Sequence, residues 1–188
     1  MTPASPPAEG SIPHRPDRPI PPALRLLRTA VRQIRIWRGR FQSLGRLRYG
    51  PNFMLGPGCS FLAPDFIRLG TNVSLGAGVI IESNVEIGDH ALVSSQVAFI
   101  GNDHDFSDPR ATVFSGRRLP ATTAILEGDH LIGFRSIIVG NVRLGRGCIV
   151  GAGSIVTRDL PPYSICVGAP ARKVRDRFPD GLAGRPIP

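Results

Sequence analysis

The sequence predicts an all-β parallel solenoid, and three observations predict it. Leu69, Leu75, Ile81, Ile87, Val93 and Phe99 recur every six residues, and Leu126, Ile132, Ile138, Leu144, Val150 and Val156 repeat the rhythm. A second set stands four residues further on, at Val73, Val79, Val85, Ala91 and Val97, then at His130, Ser136, Val142, Cys148, Ser154 and Leu160. Glycine follows the aliphatic residue at 70, 76, 88, 133, 145 and 151, in a chain of 188 residues with 22 Gly and 19 Pro. A period of six suits neither an amphipathic helix nor an alternating hairpin ladder. It suits short strands that each turn one aliphatic and one small residue inward before a tight corner. Three such repeats close a triangular coil, and coils stack at strand spacing.

The elements follow in order. Residues 1–22 hold eight prolines and few large apolar groups, so the segment is read as a disordered tail. Residues 23–48 predict a basic amphipathic helix: Leu24, Leu27, Val31, Ile34 and Phe41 recur at helical intervals beside Arg25, Arg28, Arg32 and Arg35. Two destinations fit it. Its apolar face packs on its own body or a sister subunit, or residues 23–41 lie as an interfacial helix on anionic lipid.

The solenoid domain is read as residues 49–170, with Tyr49, Leu55 and Phe61 giving one imperfect coil in front. Phe99 and Leu126 are 27 residues apart, which is not a multiple of six, so residues 100–125 form an extruded loop. Residues 171–188 complete the chain as a short tail.

Charge divides the chain unevenly. Residues 1–48 carry ten Arg against Glu9 and Asp17, while residues 49–188 are nearly neutral although the whole is +9. A nucleic-acid-binding body is therefore not expected. Cys59, Cys148 and Cys166 form no CxxC pair and leave one over after any disulfide. With no secretory signal pattern and no membrane-spanning run, the expected compartment is the cytoplasm.

The loop carries His104 between Asp103 and Asp105. A histidine works as general base near neutral pH, and a neighbouring carboxylate can fix its tautomer. Repeat insertions emerge on functional faces, which favours His104 over a merely solvated residue. His90 sits in a turn and reads as structural; His130 is an anomaly at an inward position. The spacings of His90, His104 and His130 do not match the zinc carbonic anhydrases built on such solenoids, so no metal is expected.

Near the end, Gly151, Ala152 and Gly153 leave room for a thin ligand, and Arg158, Arg172, Lys173 and Arg175 offer cations for an anionic one. The strings LGAGVI, IGDHAL and VGAGSI, with IVGAGSIVTRDLPPYSICVGAPARKVRDRF at 149–178, resemble the hexapeptide-repeat acyltransferases. The galactoside, maltose, antibiotic and polysaccharide-pathway O-acetyltransferases are the nearest groups. The resemblance covers roughly 55–178 and implies a left-handed parallel β-helix, a homotrimer and acetyl-CoA as co-substrate. It implies catalysis by His104 and coenzyme contact along Gly133, Gly151, Ala152, Thr157, Arg158, Arg172 and Arg175. Leu131-Ile132-Gly133 stands where the family often has Trp-Ile-Gly, followed by Phe134.

The expected reaction is acetyl transfer to a hydroxyl of a small acceptor, a sugar or cell-envelope saccharide, contacted by Glu82, Asp103 and Asp105. N-acetylation of an amino sugar or antibiotic, and a non-catalytic trimeric scaffold, are the alternatives. A serine acetyltransferase fits less well, since no large helical domain precedes the solenoid.

Overall fold

The computed structural model describes residues 21, 24–101 and 103–178. The proline-rich tail, Pro21 apart, and residues 179–188 lie outside the described residues. Five coils each give one strand to three parallel sheets. Sheet A stacks β1 (Leu47–Tyr49), β4 (Ile67–Leu69), β7 (Asn84–Ile87), β10 (Thr123–Leu126) and β13 (Val142–Leu144). Sheet B stacks β2 (Met54–Leu55), β5 (Ser74–Leu75), β8 (Leu92–Val93), β11 (Leu131–Ile132) and β14 (Ile149–Val150). Sheet C stacks β3 (Ser60–Phe61), β6 (Ile80–Ile81), β9 (Ala98–Ile100), β12 (Ile137–Val139) and β15 (Ile155–Val156). A sixth coil begins with β16 (Ser164–Val167) on sheet B, and β17 (Arg172–Asp176) returns antiparallel along it.

The six-residue period becomes the coil. Leu75 pairs with Val93 on sheet B, and Ile81 pairs with Phe99 on sheet C, so each aliphatic residue sits on its counterpart one coil away. Both inward sets are buried, and together they fill the prism. Tyr49, Leu55 and Phe61 pair with Leu69, Leu75 and Ile81 as a first coil. The corner between sheets A and B needs a left-handed residue in every layer. Asn52, Asn72, His90, Asp129 and Gly147 supply it with φ of 57°, 57°, 61°, 56° and 74°. Asparagine and aspartate tolerate that region best among residues with a side chain. His90 therefore serves the turn, and its Nδ1 lies 3.3 Å from Asn72 Nδ2.

Polar residues inside the prism are held by backbone. Ser136 Oγ donates to the Gly151 carbonyl at 2.9 Å, and Ser154 Oγ accepts from Gly168 N–H at 3.1 Å. His130 is 3% exposed; its Nδ1 lies 3.0 Å from the Cys148 carbonyl, which can only accept, so Nδ1 carries the proton. Its Nε2 has no partner, and burial pulls the imidazole below its ordinary pKa. Burial, with Cys166 beside it, pushes the Cys148 thiol up to about 12.

The helix α1 (Arg25–Gln42) is shorter than the 23–48 read from sequence. Leu44 and Gly45 turn the chain with positive φ, and β1 begins at Leu47, two residues before the expected start of the solenoid. The face that docks also differs. Ile36 and Gly39 are the buried helical residues, whereas Leu24, Leu27, Ile34 and Phe41 are exposed. The Phe61 ring of the first coil decides this. A Cβ on Gly39 would stand 2.8 Å from that ring, so only the glycine side of α1 can approach.

The tail is more ordered than a loose extension. β17 carries the chain to Arg177, whose guanidinium donates to Asp129 Oδ2 at 2.7 Å and to the Gly147 carbonyl at 3.2 Å.

Candidate functional site

Strands run through Ile100 and resume at Thr123, so the extruded loop is 101–122. It leaves at the corner between sheets C and A. The loop is tied across its base: Asp105 N–H donates to the Arg117 carbonyl and Leu119 N–H to the Asp103 carbonyl, both at 2.7 Å. His104 and Arg118 form a bridge between these bonds.

This ladder fixes the imidazole. His104 Nδ1 lies 3.1 Å from the Gly116 carbonyl. A carbonyl only accepts, so Nδ1 carries the hydrogen and Nε2 of neutral His104 keeps its lone pair. Neither aspartate sets this tautomer, contrary to the sequence reading. Asp103 Oδ1 accepts from His104 N–H at 2.9 Å. Asp105 turns to Ser107, whose hydroxyl and N–H hold its carboxyl below the usual carboxylate range. Both short side chains accept from backbone N–H groups of the loop.

Glu82 is exposed at the same corner, and its N–H donates to the Phe99 carbonyl at 2.8 Å, one coil below the loop. Above the loop, Gly140 N–H donates to the Ile100 carbonyl at 3.0 Å. Thr157 and Arg158, both exposed, follow β15 at this corner one coil higher.

Gly133, Gly151 and Ala152 come together at the next corner, between sheets B and C. A Cβ on Gly133 would lie 2.6 Å from the Gly151 carbonyl carbon and collide with Ala152 N, so the coils stack there without side chains between them. Arg172 starts β17 at this corner, opposite Val167. Arg175 does not join it: it lies opposite Ile165, back along the strand. The predicted cations are therefore spread over the end of the solenoid rather than clustered.

Between the two corners, the outer side of sheet C presents Ile80, Ala98, Ile137 and Ile155 in successive layers. The outer side of sheet B presents Leu92, Leu131, Ile149 and Ile165. Sheet A is charged instead, with Arg68 paired to Glu86 across its strands. The sequence reading missed Gly116, because its role depends on a hydrogen bond across twelve residues of a segment with no repeat. It also passed over Phe106 and Phe114, exposed loop residues whose aromatic character was the available signal. Among the described residues, no three His, Cys, Asp or Glu come together in a metal-binding group.

No protein-family model matches the chain. It is 29% identical over 129 residues to a Schizosaccharomyces pombe protein named as an acetyltransferase, covering 69% of this chain and 52% of that one. Among solved structures it is similar to AntD, an N-acyltransferase from Bacillus cereus in complex with dTDP and 3-hydroxybutyryl-CoA. That match has 28% identity and a TM-score of 0.62, and covers 71% of this chain and 74% of AntD. In fold and in sequence the chain is similar to the hexapeptide-repeat acyltransferases.

A hexapeptide-repeat acetyltransferase from Vibrio cholerae, complexed with acetyl-CoA, shares the fold. Its TM-score is 0.64 at 24% identity, covering 78% of each chain. The fold of the chain is the left-handed parallel β-helix. The chain spans about half or less of the length of the curated relatives it matches.

Proposed function

We propose that the protein transfers an acetyl group from acetyl-CoA to a hydroxyl of a small saccharide acceptor. The observation that carries this reading is the His104–Gly116 hydrogen bond, which makes Nε2 the lone-pair nitrogen of the neutral ring on an extruded loop. Nε2 takes the hydroxyl proton as the acceptor oxygen attacks, and the imidazolium then returns it to the departing thiolate. Coenzyme A supplies the activated thioester. The glycine corner, the apolar outer side of sheet C and the exposed Arg158 and Arg172 suit a long ligand with an anionic end.

Amine acylation is the second reading, favoured by the likeness to AntD, an N-acyltransferase. We further propose a homotrimer. The two apolar rows on sheets B and C leave water if sister subunits cover them, and a neighbour's coils then face His104. The proposed compartment is the cytoplasm.

Calorimetry with acetyl-CoA tests the donor, on wild type and on Arg158→Ala/Arg172→Ala. Saturable binding that the double variant weakens supports the reading; a folded trimer that binds none overturns it. Thiol release with hydroxyl sugars against amino sugars then separates the two acceptors.

A further inference from the structure

The helix α1 presents to solvent the side that an amphipathic helix normally buries. Leu26, Leu27, Ile34, Trp37 and Phe41 are all exposed, from 58% to 83%, and the Trp37 and Phe41 rings stack at 6.2 Å. At about 100° per residue, these five share one arc of roughly a third of the helix. Arg38 and Arg40 fall at its two margins, both exposed. The opposite side carries Ile36 and Gly39 and is used up on the first coil.

We propose that this stripe docks α1 flat on an anionic phospholipid surface, with Leu27, Trp37 and Phe41 among the acyl chains and Arg38 and Arg40 on the headgroups. The charge decides between lipid and a second copy of the chain. From residue 18 to residue 64 there is no Asp or Glu. Two such stripes packed together set Arg38 and Arg40 of one copy near those of the other, with no carboxylate on either helix to offset them. An anionic bilayer supplies that charge along the whole helix. The helix is not long and apolar enough to cross a membrane, and lying in the interface requires neither length nor high mean hydropathy. Docking would hold the solenoid beside acceptors carried at that surface. It stands on α1 alone and does not depend on acyl transfer.

Trp37 is the single tryptophan of the chain, so its fluorescence reports the stripe directly. The full chain is mixed with phosphatidylcholine vesicles with and without phosphatidylglycerol, and flotation is measured in parallel. The expected result is a blue shift and flotation with the anionic vesicles, reduced by high salt and much weaker with phosphatidylcholine alone. Leu27→Glu/Phe41→Glu keeps the probe and should weaken partitioning about tenfold or more, with native mass and thermal unfolding unchanged. Absence of shift and flotation on anionic vesicles overturns the proposal, as does undiminished flotation of the double variant. A change in that variant's native mass, without vesicle binding by wild type, assigns the stripe to a second copy instead. Acetyl-CoA calorimetry on the same samples keeps a failure here distinct from a failure of the proposed reaction.

Discussion

The imidazole of His104 donates its Nδ1 hydrogen to the Gly116 carbonyl at 3.1 Å, across the neck of the extruded loop. Position 116 also admits no side chain, because a Cβ there would collide with the Asp105 carbonyl. One glycine thus sets both the tautomer of the histidine and the closeness of the two loop arms.

His104→Ala should lower turnover about 10²–10⁴-fold while acetyl-CoA affinity stays near that of wild type. Gly116→Ala should lower turnover too, by pushing Asp105 away and turning the ring, although His104 is still present. Steady-state kinetics beside calorimetry check both. Equal turnover of Gly116→Ala and wild type would remove the positioning role.

Gly133→Val should be costly in both stability and binding. The new side chain meets Gly151 and Ala152 of the next coil, and overpacking of this kind costs about 1–3 kcal/mol. Thermal unfolding should shift downward, and acetyl-CoA binding should weaken because the corner is no longer bare. A variant that unfolds normally yet binds acetyl-CoA as wild type does would separate the corner from the coenzyme.

Leu92→Glu/Leu131→Glu should release single chains. The two residues are neighbours on sheet B, exposed at 42% and 41%, so the substitution disturbs no packing within the coil. Analytical ultracentrifugation should give one protomer mass for the variant and three for wild type. A variant that remains trimeric would move the interface elsewhere.

Stability should fall with acid in a window set by His130. The folded chain keeps this imidazole neutral, with its pKa lowered by burial, while the unfolded chain protonates it at its ordinary value of 6.5. The unfolded state therefore binds more protons below that pH, and stability is lost as pH falls from 6.5 downward. His130→Val should flatten that slope, although it leaves the Cys148 carbonyl unpaired and lowers stability at neutral pH by about 1–3 kcal/mol. Thermal melts from neutral to mildly acidic pH read both effects.

Much of the solenoid was legible because its physics is local and repeated. Each hexad needs one large inward residue, one small one and a tight corner, and the chain states this eleven times over. The break after Phe99 was legible for the same reason, since any excursion shows as a slipped phase. The docking side of α1 was not. The sequence displays an apolar stripe and an arginine stripe, and periodicity favours burying the apolar one. The ring of Phe61, twenty-two residues from Gly39, made the glycine side the one that could close on the coil.

The same division runs through the site. The sequence alone determined the period, the stack, the loop and the histidine it carries, because these follow from residue type and spacing. Tertiary structure decided what His104 leans on and that Asp103 and Asp105 accept from loop backbone N–H groups. It also decided that Arg172 and Arg175 lie at different points of β17, and that the stripe of α1 stays open. Each of these depends on contacts between residues distant in the chain, where a carbonyl, a ring or a bare corner selects one arrangement among several that local preference permits.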